Sequence, residues 1–213
     1  AQSDTYAITN ARIVTVSGAT IANGTVVIRD GLIESVSSNT RVPADAKVFD
    51  GKGLTIYPGL FDADTSLGVP PSRPTARGSQ SQNQSNSNYP TVLRPERMVT
   101  EKLKSGEAQF STQRNSGFTT VLTRHTDGIF NGQSAVINLA GESVSAMVIR
   151  PAFAQHVTYR TNRGGVFPTS LMGTFAALRQ MFFDAKRLDD IKKAYAKNPR
   201  GMKRPEADPS LEA

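Results

Sequence analysis

The chain lacks cysteine and tryptophan altogether, and it has only two histidines among its 213 residues. The lack of cysteine excludes disulfide bonds, thiolate zinc sites and cysteine nucleophiles. Two histidines exclude a metal site built from three or more imidazoles of this chain. No apolar run approaches the roughly 18 residues that a membrane-spanning helix needs, so no membrane span is predicted.

A concentrated patch of one charge is also lacking. The net charge of +7 comes from 25 Lys and Arg against 18 Asp and Glu, and the basic residues are spread along the chain between acidic ones. Without a basic cluster, no nucleic-acid partner is predicted. The hydrophobic content of 38% is ordinary for a globular protein that buries a sizeable core.

The first residues read Ala1-Gln2-Ser3-Asp4, with no initiator methionine. Such a start is typical of a chain from which a secretory signal was cleaved after a small residue, and a cloned domain boundary would look the same. We expect a periplasmic or secreted protein. The lack of cysteine does not decide the compartment.

The first 50 residues alternate between short apolar runs and turn signals. Two runs within 5–16, split by a turn signal at Thr9-Asn10, and runs at 25–29, 32–36 and 46–50 read as strands. Asp30-Gly31 separates two of them, and this dipeptide favours a type I′ hairpin because both central residues need a positive φ. We predict a β-rich domain over residues 1–53.

Residues 51–68 read GKGLTIYPGLFDADTSLG. A turn and a short apolar run lead through Pro58-Gly59 to a second apolar step, which ends in acidic and hydroxyl side chains. This pattern predicts a strand with a buried middle and a polar C-terminal end, the end at which barrel enzymes keep their chemistry.

The next stretch, residues 70–90, is rich in Ser, Gln and Asn and almost free of apolar residues. Such a segment buries too little surface to offset its ordering entropy, so we predict a flexible loop. Its role is open between a lid or substrate-recognition loop and a tolerated surface insertion.

Helical and extended patterns alternate in the rest of the chain. A helical pattern starts at 93, breaks near Ser105-Gly106 and ends at 115–117, and residues 118–123 read as a buried strand. Further strands are predicted at 135–139, 144–149 and 152–158.

The strongest helix follows a cap at Thr169 or Ser170, and its predicted core stripe is Leu171, Met172, Phe175, Leu178, Met181 and Phe182. Residues 202–213 resemble a linker or truncated end.

The two histidines have different settings. His125 lies just past the predicted strand 118–123, where it is either a ligand or base or a hydrogen-bonded loop residue. His156 lies between Gln155 and Val157, an apolar setting that favours an interior, hydrogen-bonded histidine.

Residues 54–66 resemble the start of the catalytic barrel in the amidohydrolase superfamily, which usually reads P-G-(L/F)-(I/V)-D-x-H-x-H. Pro58, Gly59, Leu60, Phe61 and Asp62 match this motif, whereas Asp64 and Ser66 stand where it has two metal-binding histidines. The turn positions before it are similar over about 60 residues. A second match, Gly-Phe-Thr-Thr-Val at 117–121, resembles the second barrel strand of the imidazolonepropionase-like branch.

The resemblance implies an α/β fold. It implies an N-terminal β-sandwich-like domain at 1–53, part of a composite domain, and then the first strands and helices of a TIM-type (β/α)8 barrel at 54–201. A complete barrel takes about 250 residues, so the barrel is expected to be incomplete in this chain. The remaining C-terminal part of the barrel is then an expected partner.

The resemblance also implies a hydrolase acting on non-peptide carbon–nitrogen bonds of a small-molecule substrate in the full-length parent. Family members use a divalent metal, zinc or similar, to activate water. Here Asp64 is the candidate ligand, Ser66 marks the position of a lost ligand, and Asp62 and His125 are candidate pocket residues. The alternatives are a metal-free pseudoenzyme or binding module on the same scaffold, and an unrelated β-rich binding protein. A homo-oligomer is a further expectation.

Overall fold

The computed structural model describes residues 4–70, 89, 92–106, 108–141, 143–161 and 167–213. The chain divides into two compact units, Ala1–Gly59 and Leu60–Ala213. Of the predicted flexible loop at 70–90, all but Pro70 and Tyr89 lies outside the described residues.

The first unit is built on one five-stranded sheet. Its strands are β1 (Thr5–Ile13), β2 (Ile21–Arg29), β3 (Leu32–Ser37), β4 (Lys47–Asp50) and β5 (Thr55–Ile56). The turn predicted at Thr9-Asn10 is wrong, because β1 continues through it with an irregularity in its pairing to β2. The order is β3-β2-β1-β4, and β5 also pairs with β1. β4 and β5 run parallel to β1, whereas β2 is antiparallel to both β1 and β3. A sandwich needs two sheets, so the predicted sandwich-like layout stays a prediction.

The hairpin between β2 and β3 confirms the turn predicted at Asp30-Gly31. Asp30 has φ 50° and Gly31 has φ 79°, the pair of positive values that a type I′ turn requires. Arg29 and Leu32 face each other across the turn. The turn fixes the pairing next to it, and the register shifts once between Val27 and Ile28.

The second unit contains a four-stranded sheet in the order β10-β9-β7-β6. Its strands are β6 (Leu60–Thr65), β7 (Phe118–Thr123), β9 (Ala135–Asn138) and β10 (Val148–Arg150), and a separate antiparallel pair joins β8 (Phe130–Gln133) to β11 (Gln155–Val157). β6 and β7 are parallel, with helix α1 (Ala108–Asn115) between them in the chain. β9 is antiparallel to its neighbours β7 and β10, and the described strands form no closed barrel.

Several expectations for this unit are wrong. The helix predicted to start at residue 93 does not form: between 93 and 105 only a three-residue 3₁₀ turn, Val99–Glu101, is helical, and Leu93 and Met98 form β-bridges to Phe130 and Gln133. Residues 144–149 are not one strand: Ser143 caps a single helical turn, α2 (Val144–Met147), by accepting a hydrogen bond from the Ala146 N–H, and β10 follows. The middle of β6 is not buried either, because Leu60 and Phe61 are 53% and 51% exposed. β6 is the edge strand of its sheet among the described strands, so no described strand lies beside it on one side.

Helix α3 (Leu171–Lys197) begins as predicted, with the Ser170 side chain accepting from the Gly173 N–H. Its predicted core stripe is mostly wrong. Leu178 and Met181 are buried, but Met172 and Phe182 are 78% and 62% exposed. Thr174 and Ala177 are buried instead, because the packed face lies at positions 174, 177, 178 and 181.

Two hydrophobic clusters form the core of the second unit. One lies between the four-stranded sheet, α1 and α2, and consists of Leu67, Val99, Leu103, Phe110, Val121, Ala135, Ile137, Leu139 and Met147. The other joins β8 to α3 through Leu93, Ile129, Phe130, Ala177, Leu178 and Met181. Leu211 packs against the second cluster from helix α4 (Pro209–Glu212), within the segment that was expected to be a linker.

Among the described residues, no helix combines the length and the apolar character that crossing a membrane requires. Helix α3 is long enough, with 27 residues, but it carries charged side chains along its second half.

Candidate functional site

The polar residues that follow β6 and β7 lie at one edge of the sheet, since the two strands are parallel and end together. Thr65 pairs with Thr123, the last residue of β7. The Arg124 N–H donates to the Thr65 carbonyl at 2.9 Å, and Thr123 Oγ1 donates to the Leu67 carbonyl at 2.8 Å. These bonds fix the residues around 64–66 beside those around 124.

The main interaction at this edge is a two-point ion pair between Asp64 and Arg124. Arg124 donates from Nε to Asp64 Oδ1 and from Nη2 to Asp64 Oδ2, the latter at 3.0 Å. The hydrogen bond from Arg124 lowers the pKa of Asp64 below its usual value, and the same bond raises the pKa of Arg124. Arg124 Nη1 also donates to the His125 carbonyl at 3.2 Å, which anchors the guanidinium.

His156 lies on β11, opposite Gly132 of β8. Burial lowers the pKa of His156; the Arg124 cation adds to this shift and the Asp64 carboxylate opposes it, so the three side chains interact electrostatically. His156 Nε2 is shielded from solvent and has no hydrogen-bond partner among the described residues. We refer to Asp64, Arg124 and His156 as the strand-end triad.

The other two candidates near the strand ends, Asp62 and Ser66, show no arrangement suited to binding a metal. Asp62 Oδ1 accepts from the Asp64 N–H at 3.1 Å and so ties the backbone at the end of β6. Ser66 is exposed. These donors do not fit a divalent metal: both Asp64 oxygens already accept from a guanidinium, and a serine hydroxyl is a poor ligand.

His125 belongs to a second Arg–Asp–His group, which we call the buried triad: Arg97, His125 and Asp127. Arg97 donates from Nη1 to Asp127 Oδ2 at 2.9 Å and from Nη2 to His125 Nδ1 at 3.4 Å. His125 is only 3% exposed, and burial together with the Arg97 cation lowers its pKa. Burial opposes ionisation of Asp127, but the bond and charge of Arg97 outweigh it and lower the pKa.

A groove of about 260 Å³ lies at the contact of α3 and α4. Its polar groups are largely bonded to one another or to backbone: Tyr89 donates to Asp184 Oδ2 at 2.7 Å, and Asp208 accepts from the Ser210 N–H at 3.0 Å. The groove is lined by Tyr89, Asp184, Arg187, Leu188, Ile191, Asp208 and Leu211. This bonding marks the docking of α4 rather than a ligand site.

Sequence reasoning found part of the strand-end triad. It singled out Asp64, but it missed Arg124 and predicted a hydrogen-bonded histidine at position 156, whereas His156 Nε2 has no hydrogen-bond partner in the described part of the chain. Arg124 directly follows β7, so the rule that parallel strands end at one edge would have placed it beside Asp64. No local signal brings His156 to the same place, since β11 pairs with β8 and not with β6 or β7.

Comparison with known proteins finds an extensive structural likeness to a solved structure. No protein-family model matches the chain, and no curated protein matches it. A solved amidohydrolase from Thermotoga maritima MSB8 is similar with a TM-score of 0.77 and 19% identity, covering 97% of this chain and 54% of that chain. A "putative prolidase" from Bifidobacterium longum aligns with 35% identity over 28% of this chain and 16% of that chain, at a TM-score of 0.26.

The likeness to the Thermotoga protein shows an amidohydrolase-like fold. The chain spans about half the length of that protein.

Proposed function

We propose that this chain is part of an amidohydrolase-superfamily protein whose scaffold binds a small molecule without a catalytic metal at the ends of β6 and β7. The amidohydrolase-like fold supports the scaffold. The observation that carries the metal-free part is the two-point ion pair between Arg124 and Asp64. The Gly-Phe-Thr-Thr-Val sequence at 117–121 favours the imidazolonepropionase-like branch.

The ion pair matters because of what metal-dependent hydrolysis requires. A bound metal lowers the pKa of a water molecule so that hydroxide forms near neutral pH. At this edge the available cation is a guanidinium, which is always charged and offers no open coordination position for water. The arrangement therefore supports recognition by hydrogen bonds and charge rather than activation of water.

The strand-end triad has capacity left for a ligand. Asp64 is 64% exposed at its side chain, and each of its carboxylate oxygens can accept further hydrogen bonds beyond those from Arg124. His156 Nε2 adds a polar atom that no residue in the described ranges bonds. A small polar molecule suits these groups better than nucleic acid, since the exposed charge here is that of a carboxylate.

The proposal extends to the rest of the barrel. The Thermotoga protein is nearly twice as long as its matched part, which supports a parent protein that completes the barrel with further strands. The exposed edge strand β6, with Leu60 and Phe61 half exposed, gives that addition or a second copy of the chain a surface to pair with.

A second function is supported by the same fold likeness: a hydrolase of non-peptide carbon–nitrogen bonds. In this version the metal ligands come from the rest of the parent protein, and the triad described here holds the substrate. The extent of the structural match, 97% of this chain, is what favours it.

Metal analysis of the untagged full chain and of its parent protein tests the choice between the metal-free binding function and the hydrolase. We expect less than about 0.1 equivalent of zinc, manganese or iron per chain after purification without chelator, and no release of coloured amine from p-nitroacetanilide. Asp64→Ala is the control. One equivalent of metal that disappears in Asp64→Ala would overturn the metal-free proposal, and metal in the parent that survives this substitution would favour the second function.

A further inference from the structure

We propose that the exposed side of helix α3 is a docking surface for an anionic lipid bilayer, on which the helix lies flat without crossing it. We call this side the outer face of α3, and it consists of Met172, Phe175, Arg179, Phe182, Phe183 and Lys186. The proposal goes beyond the small-molecule function and does not depend on the strand-end triad.

The outer face carries large apolar side chains although it is open to solvent. Its residues recur at spacings of three or four, so helical geometry puts them on the side of α3 away from the packed positions 174, 177, 178 and 181. Phe183 is 61% exposed and Phe175 is 48% exposed, in addition to Met172 and Phe182. Phe175 also contacts the exposed Tyr159, with ring centroids 5.3 Å apart. A contiguous exposed surface of this kind marks a site for an apolar partner.

Positive charge is concentrated on α3 and just after it. Residues 171–204 contain nine Lys and Arg against three Asp, which leaves 16 basic and 15 acidic residues for the rest of the chain. Basic residues thus occur along the whole chain, but nearly all of their excess over acidic ones belongs to this segment. A partner that binds here therefore meets a strongly cationic surface.

Most of these cations are available to a partner. Of the three aspartates, Asp184 accepts from Tyr89 and Asp189 accepts from Lys193 at 2.6 Å, so Asp190 is the remaining acid. The following cations make no ion pair with the residues that the structure describes: Arg179, Lys186, Arg187, Lys197, Arg200 and Arg204.

The mixture of phenylalanine with arginine and lysine on one face favours a bilayer over another protein. A protein surface that covered Phe182 and Phe183 would also cover Arg179 and Lys186, and burying an unpaired charge is costly. At a bilayer the apolar side chains enter the boundary of the acyl chains, while the long cationic side chains extend to the headgroup phosphates. Anionic lipids also attract the cations that follow along the helix. A nucleic acid would pair with the cations but leave the apolar side chains in water.

Co-sedimentation of the full chain with sucrose-loaded vesicles tests the proposal. One set of vesicles contains equal parts of phosphatidylglycerol and phosphatidylcholine, and the other contains phosphatidylcholine alone. We expect at least about tenfold tighter binding to the first set at about 0.1 M NaCl, because the anionic lipid attracts the cations of residues 171–204. Phe183→Trp introduces a tryptophan into a chain that has none, and its fluorescence should shift to the blue when these vesicles are added.

Two double variants separate the apolar part of the outer face from its charged part. Met172→Ser with Phe183→Ser removes apolar side chains that would enter the bilayer, and Arg179→Glu with Lys186→Glu reverses the charge. Each should weaken binding to the anionic vesicles about tenfold or more.

The matched controls change exposed residues of the first unit in the same way. Leu32→Ser with Leu54→Ser removes two exposed apolar side chains, and Arg41→Glu with Lys52→Glu changes the net charge by the same amount as the α3 variant. Both controls should bind the anionic vesicles as the wild type does.

Three results would overturn the proposal, provided that circular dichroism shows the variants folded. They are equal binding to the two sets of vesicles, equal losses in the α3 variants and the controls, and no binding by the parent protein, since the rest of that protein would then cover the outer face. Duplex DNA bound as tightly as the anionic vesicles, with no loss in Met172→Ser with Phe183→Ser, would instead assign the surface to a polyanion. If a double variant does not fold, Phe183→Ser or Lys186→Glu alone replaces it in the same comparison.

Discussion

The second unit contains two groups of one Arg, one Asp and one His each, and the two groups differ in how many of their hydrogen-bonding atoms have partners. In the buried triad, Arg97 bonds both Asp127 and His125. In the strand-end triad, Arg124 bonds only Asp64 among its members, and His156 Nε2 has no partner among the described residues. A closed group of this kind holds structure together, whereas an open one keeps polar capacity for something else.

Their surroundings explain the difference. The Arg97 carbonyl accepts a hydrogen bond from the Gln133 N–H at 2.7 Å, which ties the loop that contains Arg97 to β8. Earlier in this loop, Leu93 forms a β-bridge to Phe130. The buried triad thus joins a loop to the two-stranded sheet. The strand-end triad lies where β6 and β7 terminate, and Asp64 is 64% exposed there.

The largest difference between the triads should appear when each arginine is removed. Arg97→Met leaves the buried His125 and the partly exposed Asp127 without their shared donor, and we expect the free energy of unfolding to fall by about 2 to 3 kcal/mol. Urea denaturation followed by circular dichroism measures this loss.

Arg124→Met is the matched control. Its partner Asp64 is well exposed and can be solvated by water, so we expect a loss below about 1 kcal/mol. Equal losses in the two variants would contradict the distinction between a structural and an open triad.

Local sequence signals were sufficient for much of the fold. Asp30-Gly31 has the positive φ values of the predicted hairpin, the strand at 118–123 has its predicted bounds, and Ser170 caps the long helix. In each case a few neighbouring residues determine the conformation through turn or capping chemistry. These features therefore need no knowledge of the rest of the chain.

The candidate site depended on contacts that no local pattern encodes. Asp64 and Arg124 are 60 residues apart, and His156, whose pKa both charges influence, belongs to a strand of another sheet. The packed face of α3 was misjudged for a similar reason: Thr174 and Ala177 pack inward while Phe182 is exposed. Hydropathy gives the residues able to be buried, but the neighbouring elements decide which face is covered.

The second prediction compares the two imidazoles. His125→Leu removes an acceptor from Arg97 inside the core, and we expect a loss of about 1 to 2 kcal/mol. His156→Leu removes a shielded nitrogen that has no partner among the described residues, so stability should stay within about 0.5 kcal/mol or rise. The difference between the two urea midpoints, at equal m-values, is the quantity to compare. A larger loss for His156→Leu would mean that its Nε2 has a structural partner after all.

The smallest effect is a pH dependence that both triads share. Burial lowers the pKa of His125 and of His156 in the folded protein relative to the usual 6.5, so below that value the unfolded chain binds more protons than the folded one. The stability is full above pH 6.5 and declines as the pH falls below it, until the folded imidazoles also become protonated. The lowered pKa values of Asp64 and Asp127 act only below about 3.8, so the interval from pH 7 to 5 isolates the histidines.

Unfolding free energies across this interval should decline in the wild type, decline less in each His→Leu variant, and stay nearly level in the double variant. A double variant as steep as the wild type would show that the slope comes from other groups, and unequal single variants would reveal which triad holds its imidazole more firmly in the neutral form.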